Sequence, residues 1–342
     1  MIAAWALFAA FVIVLLALDL GVFHRSAHVV GFREALGWSA VWLTLGVAFA
    51  GVVYVGYEHK VWGLGTAVDP VDGVVNDGVS AAEKYLTGYL VEKSLSVDNI
   101  FVMSMIFTTL AVPGIYQHRV LFWGVAGAVA MRAVMIVVGA RLIAEFHWLL
   151  GVFAVFLIIT GLRMLTARDE HWDPAKSRLL RWCRGLVPIV DQYHGQRFFV
   201  RVPRAAGTVL ALTPLAVALV MVEAADVVFA VDSIPAIFAI TGDPFLVFTS
   251  NVFAILGLRS LYFALAGLVG RFRYLKPALA TVLLVVGGKM LAAEQLHHQL
   301  GPRFNLVLLT VIAGIILTGV VASIVADRRS RPADSDTAVG IS

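Results

Sequence analysis

Long apolar runs, separated by short polar stretches, recur along the whole 342-residue chain. Each run has about twenty residues, which is the length a helix needs to cross the hydrocarbon core of a bilayer. The pattern therefore predicts an all-α polytopic membrane protein. The nine predicted spans lie near residues 3–23, 36–56, 86–110, 119–140, 148–165, 207–231, 245–267, 277–293 and 305–325.

Most connections between the predicted spans are short. Two are longer: an acidic stretch at 57–85 and an Arg-rich stretch at 166–206. We expect one transmembrane domain over 1–326. The polar segment 327–342 has few bulky residues and is predicted to be a disordered tail.

The distribution of basic residues predicts how the protein is inserted. About seventeen Lys and Arg residues fall on the side reached after the odd-numbered spans, and about four fall on the other side. Basic residues are retained on the cytoplasmic side of membranes. We expect an outside N-terminus, a cytoplasmic C-terminus and the Arg-rich loop in the cytoplasm, in a bacterial inner (plasma) membrane.

Composition narrows the function classes. Hydrophobic residues make up 60% of the chain and charged residues 14%, far from soluble averages. This excludes a nucleic-acid binder and a water-soluble enzyme, so lipid is the expected surrounding and nucleic acid is not an expected partner. A single cysteine, Cys183, excludes an internal disulfide. No hydrolase or nucleotide-binding motif is present, so neither enzymatic activity nor a bound cofactor is expected.

Six carboxylates fall inside the predicted spans. An ionised acid at mid-bilayer costs about 2.5–3.5 kcal/mol, so these side chains must face the bundle interior and meet a cation, water or a metal. Purely structural pairing with intramembrane Arg and Lys is the alternative. The six are Asp19, Glu92, Asp98, Glu223, Asp226 and Asp232.

Their spacing favours a shared site. Glu92 and Asn99 lie on one stripe of the third span, with Asp98 beside that stripe. In the sixth span Glu223 and Asp226 are neighbours at i, i+3. Asp232 would point away from Glu223 on a continuous helix, so a break at Pro235 is predicted to turn it inward.

An internal repeat supports this interpretation. LSVDNI at 95–100 matches FAVDSI at 229–234, Arg132 matches Arg259, and GLRML at 161–165 matches GGKML at 287–291. Three spans separate the matching helices. Units 86–165 and 207–293, which are spans 3–5 and 6–8, are therefore predicted to be inverted relative to each other, as in many secondary transporters.

The candidate ligands are all oxygen atoms, because carboxylates are joined by the amides of Asn99 and Asn251. Such sets suit Mg²⁺, Ca²⁺ or Mn²⁺ better than Zn²⁺ or Cu⁺. Arg132 and Arg259 are predicted to pair with the acids and to release them when a metal arrives. The outer stretch 57–85 is predicted to be a solvated acidic loop.

The motifs LDLGVFHR (18–25), EKSLSVDNIFV (92–102), VEAADVVFAVDSIPAIFAIT (222–241) and NVFAILGLRSLYF (251–263) resemble the TerC family of integral membrane proteins. That family includes Alx-type members within the LysE-like transporter superfamily. The resemblance implies tellurite resistance, pH-responsive expression and manganese export or metal homeostasis. It also places Asp19, Glu92, Asp98, Asn99, Glu223, Asp226, Asp232 and Asn251 on the characteristic polar positions of the family.

Together these observations predict a transporter that exports divalent metal ions, with Mn²⁺ as the expected cargo. Asp98 and Asp232 are the predicted central ligands, and Asp19 is expected to line the path. Two alternatives stay open at this point. One is a non-transporting scaffold that supports tellurite resistance or metal loading of exported proteins through partner proteins. The other is a transporter of another cargo such as Ca²⁺. A homo-oligomer is compatible with each.

Overall fold

The protein is described from a computed structural model, which covers residues 1–21, 30–146, 148–166, 187–204, 207–266, 274–292 and 304–330. Over these residues the chain is mostly α-helical, with one small sheet. The helices are α1 Ile2–Gly21, α2 Phe32–Glu58, α3 Gly78–Thr109, α4 Gly114–Glu145, α5 Trp148–Thr166, α6 Pro214–Phe238, α7 Pro244–Leu256, α8 Leu258–Leu265, α9 Leu275–Leu291 and α10 Phe304–Ser330.

Local sequence signals start three of the central helices. The Asp77 carboxylate caps α3 by accepting a hydrogen bond from the Ser80 amide at 2.7 Å. Thr213 caps α6 and Asp243 caps α7, and each is followed by a proline at the first helical position. A capping oxygen satisfies an otherwise unpaired amide, and proline there has no amide to lose.

The prediction of an all-α polytopic membrane protein is confirmed. Six helical segments in the described residues are long and apolar enough to cross a membrane, and α1 contributes a shorter apolar helix. Helix α3 is less apolar because it carries charged residues, among them Lys84, Glu92 and Asp98, and α9, with Lys289 near its end, is only 17 residues long. Together α7 and α8 form one such segment, Pro244–Leu265, interrupted at Gly257.

Two details of the sixth predicted span were wrong. Residues 207–212 form a β-strand, and the helix that follows runs from Pro214 to Phe238. The predicted break at Pro235 is absent, since α6 passes through it. Proline removes only one amide donor. The next turn continues, with the Ala239 amide donating to the Pro235 carbonyl at 2.9 Å.

The described part of the Arg-rich stretch contains a β-hairpin. Strand β1, Phe199–Arg204, pairs antiparallel with β2, Gly207–Leu212, and Phe199 lies opposite Leu212. Tyr193, before the hairpin, donates to the Leu110 carbonyl at the end of α3 at 2.7 Å. Residues 167–186 and the predicted tail from 331 to 342 lie outside the described residues.

The α7–α8 segment lies at the centre of the bundle. In its most apolar window 89% of residues are buried, against 22% in α2 and α10. Helix α3 packs against α2, α6, α7 and α10. The exposed apolar residues of α1, α2, α5 and α10 form the surface that faces lipid, which accounts for their low burial.

Contacts that involve the two predicted repeat units recur in matching pairs. Helix α3 packs on α7, and their counterparts α6 and α4 also pack together. At the crossing of α5 and α9, a Cβ on Gly161 would lie 3.0 Å from the Ala280 carbonyl oxygen. A Cβ on Gly287 would lie 3.0 Å from that of Ala154. The two contacts are equivalent, because Gly287 and Ala280 each lie 126 positions after Gly161 and Ala154. In both contacts a residue near the end of one helix lies against a residue nearer the start of the other. The helices α5 and α9 are therefore antiparallel, as the inverted repeat requires.

Candidate functional site in the bundle interior

Arg132 of α4 lies at the centre of the candidate site, with only 1% of its surface exposed. Its Nη1 atom donates to a carboxylate oxygen of Glu92 in α3, to the Asn251 amide oxygen at 2.8 Å and to the Ser233 hydroxyl at 3.3 Å. Its Nη2 atom donates to Asp226 in α6 at 3.2 Å. One guanidinium thus joins α3, α6 and α7.

In each carboxylate that pairs with Arg132, the second oxygen has no hydrogen-bond partner among the described residues. These buried oxygens are Glu92 Oε2 and Asp226 Oδ2. With both acids ionised, the group of Glu92, Asp226 and Arg132 carries one net negative charge. Buried acceptors without partners are costly, so these oxygens mark a place where a further positive group is favoured.

Next to this group is a cavity of about 90 Å³, which we call the acidic cavity. Helices α5 and α9 contribute Thr160 and Leu283 to its wall, and Glu92 and Arg132 lie at its side. Three pairs of residues 134 positions apart in sequence complete it: Leu95 with Phe229, Asp98 with Asp232, and Asn99 with Ser233. The two repeat units therefore supply equivalent walls of one cavity.

Asp98 and Asp232 are half-buried, in contrast to the fully buried Glu92 and Asp226. Lys276, at the start of α9, is close enough to Asp98 to interact with its charge. Within the described residues, no three carboxylate, imidazole or thiol side chains lie close enough together to hold a metal ion by themselves. A cation in the acidic cavity would also need neutral oxygens, such as those of Asn99 and Ser233.

The remaining predicted site residues lie at different places. Asn251 belongs to the Arg132 group, whereas Arg259 is buried in α8. The carboxylate of Glu223 lies against Gly127 of α4, where any Cβ would overlap it, and Glu223 does not line the acidic cavity. Asp19 falls near the end of α1, and its side chain lies outside the described residues. A continuous α6 places Glu223 and Asp232 on opposite faces.

Sequence reasoning missed a buried charge cluster that joins the stretch 57–85 to the start of α3. Asp69 is 1% exposed, and it accepts from Lys84 Nζ at 2.8 Å, from the Gly242 amide at 2.8 Å and from the Thr241 hydroxyl. Lys84 also pairs with Asp72 at 2.7 Å. The prediction of a solvated loop is wrong for Asp69. A lysine one turn into a core helix was the available signal, since lysines are rarely buried unless paired.

Comparison with known proteins identifies the family. Residues 78–331 match the model of the integral membrane protein TerC family. The chain belongs to the TerC family. The match covers both predicted repeat units, the start of α3 and all of α10, and it leaves α1 and α2 outside. The resemblance noted from the four motifs is therefore confirmed.

Relatives align over most of their length. An uncharacterised membrane protein of Myxococcus xanthus is 49% identical over 97% of this chain and 95% of its own. A protein of Escherichia coli K12, named as a proposed membrane-bound redox modulator, Alx, is 43% identical over 90% of this chain and 92% of its own. An uncharacterised membrane protein of Rickettsia bellii is 39% identical over 94% of this chain. No solved structure matches. These relatives are bacterial membrane proteins, consistent with a multi-pass inner-membrane protein.

Proposed function

We propose that this TerC family protein is a secondary transporter that exports divalent metal ions, with Mn²⁺ as cargo, through the acidic cavity. The observation that carries the proposal is the pairing of Asp98 and Asp232. They occupy equivalent positions in the two predicted repeat units and line one cavity. Acidic sites at the interface of inverted repeats are where secondary transporters bind cations.

The chemistry of the lining supports a hard divalent cation. Asp98 and Asp232 supply two negative charges, and Asn99 and Ser233 supply neutral oxygens. Mn²⁺, Mg²⁺ and Ca²⁺ prefer such oxygen ligands. The resemblance to TerC proteins associated with manganese selects Mn²⁺ among them and selects export as the direction.

We propose metal export rather than thiol exchange or a scaffold role. The printed name of the Alx relatives refers to redox modulation, but this chain has one cysteine and forms no dithiol pair of its own. A scaffold does not require carboxylates in a cavity between two repeat units. An enzymatic activity and a resident cofactor are likewise not part of the proposal.

The test is Mn²⁺ flux into vesicles that contain the purified protein and a Mn²⁺-sensitive dye. We expect D98N and D232N each to lower the initial rate at least tenfold, because each removes one of two charges that hold the ion. The control is D191N, which makes the same change at an exposed residue before the β-hairpin and keeps the wild-type rate. Wild-type protein that carries no Mn²⁺, or variants that carry it at the wild-type rate, would overturn the proposal.

A further inference from the structure

The contacts of Arg132 outnumber the hydrogen bonds that its Nη1 atom can donate. A terminal guanidinium nitrogen has two N–H groups. Three oxygens surround Nη1, from Glu92, Ser233 and Asn251, and they come from three different helices. Two N–H groups cannot give each of three oxygens a hydrogen bond of its own, so the oxygens at this position exceed what the guanidinium nitrogen satisfies fully.

The chemistry of these oxygens is that of a divalent-ion site. They comprise a carboxylate, an amide and a hydroxyl oxygen around Nη1, with the Asp226 carboxylate beside them at Nη2. The two buried oxygens without partners, Glu92 Oε2 and Asp226 Oδ2, add to the same set. Six oxygens without nitrogen or sulfur are what Mn²⁺, Mg²⁺ or Ca²⁺ takes.

The acidic cavity offers the displaced guanidinium another place. Arg132 lines this cavity together with Asp98 and Asp232. The guanidinium would therefore be close to carboxylates both in its present position and after it moves into the cavity. A long side chain that leaves Glu92 and Asp226 therefore does not have to enter an apolar environment, where an unpaired charge would be costly.

We propose that Arg132 is an internal cation that occupies a second divalent-ion site, formed by Glu92, Asp226, Asn251 and Ser233, and competes with the cargo for it. This inference deepens the proposed function and rests on it. Competition by a tethered positive charge lowers the affinity of the site, because cargo binds only after Arg132 moves away. The same competition returns the carboxylates to Arg132 when the ion leaves, and so promotes release.

The test is to remove the positive charge of Arg132 and to ask whether a Mn²⁺ ion then binds in its place. R132Q is purified in MnCl₂, and its thermal unfolding is followed before and after a chelator is added. We expect R132Q to unfold at a much lower temperature after chelation and to recover when Mn²⁺ is restored, whereas the wild type changes little. We also expect R132Q to bind Mn²⁺ at least tenfold more tightly than the wild type and to transport it at least tenfold more slowly.

A matched control separates competition from a structural role. R259Q removes the same charge from a buried arginine of α8, and we expect its stability to be the same in Mn²⁺ and in chelator. The inference is wrong if R132Q unfolds at the same temperature in Mn²⁺ as in chelator. It is also wrong if no folded R132Q can be purified in Mn²⁺. Failure of the proposed function is a different outcome, because it is measured as absence of Mn²⁺ flux into vesicles that contain the wild-type protein.

Discussion

Asp69 is a buried charge that the fold holds by neutralising it. Burial alone raises the pKa of this carboxyl, but the charge of Lys84 and the hydrogen bonds from Lys84 and Thr241 outweigh burial, so its pKa lies below the ordinary value. The folded protein therefore takes up the Asp69 proton less readily than the unfolded chain does. The resulting stabilisation is complete above the unfolded pKa of about 3.9 and is lost as the pH falls through the folded pKa.

We expect D69N to lose about 3 kcal/mol of stability at pH 7, because it leaves Lys84 buried beside fewer charges. Since wild-type Asp69 is itself protonated in strong acid, the gap between wild type and variant should narrow below about pH 4. Unfolding in detergent at pH 3 to 7 measures both effects. D72N is the control, because Asp72 pairs with the same Lys84 from a more exposed position and should cost less. An equal gap at all pH values would contradict this account.

At the scale of single residues, the sequence predicted some of the acidic side chains that lie close together in the bundle interior, but not all of their neighbours. Spacing and the repeat were sufficient to place Asp98 and Asp232 as equivalents, and they line one cavity. The same spacing did not bring Glu223 to that cavity, because α6 is continuous and turns it towards Gly127. Asp69 was missed because its partners, Lys84 and Thr241, are distant in sequence and no periodic pattern relates them.

Two adjacent glycines of α9, Gly287 and Gly288, allow a test of whether the close contact between α9 and α5 is needed for stability. We expect G287A to be destabilising, because its Cβ would lie 2.9 Å from Ile158 Cγ1 and 3.0 Å from the Ala154 carbonyl oxygen. Overpacking of this kind costs about 1–3 kcal/mol. G288A is the matched control, because its Cβ would meet nothing within 4 Å. Detergent unfolding curves compare the two, and equal stability of the two variants would show that the close approach is not needed.

At the scale of elements, apolar periodicity is a reliable guide to helices but a poor guide to their ends and interruptions. The hairpin strand Gly207–Leu212 is as apolar as a helix, so a hydropathy pattern includes it in the span that follows. The proline predicted to break α6 does not break it, whereas the helix α7 ends just before Gly257 and α8 begins directly after it. There Lys93 Nζ donates to the Ala254 carbonyl at 3.1 Å, which satisfies an oxygen near the end of α7.

At the scale of the whole molecule, the two units contribute to one cavity, and this arrangement predicts non-additive effects. If Asp98 and Asp232 bind the same ion, removal of either weakens Mn²⁺ binding, and removal of both weakens it by less than the product of the two single losses. Equilibrium binding to wild type, D98N, D232N and the double variant measures the coupling. Losses that multiply independently would place the two residues in separate sites.

The meeting of residues from the two predicted units at one cavity was predictable, because the repeat retains charged residues in register and charges inside spans are rare enough to be informative. The geometry of the shared Arg132 was not predictable. A sequence comparison pairs Arg132 with Arg259, yet Glu92 and Asp226, one from each unit, pair with the same guanidinium. Which arginine pairs with acids of both units depends on how the side chains of four helices pack together. Such packing produces no periodic pattern in the sequence.

A single guanidinium that serves both units has a consequence for the direction of movement. Each predicted unit supplies one of the two acids, Glu92 and Asp226, but the guanidinium that pairs with both belongs to α4 of the first unit, so the site is chemically asymmetric. If the protein transports ions as proposed, its inward-open and outward-open forms should therefore differ in free energy. We then expect unequal maximal rates of transport towards the two faces of the membrane.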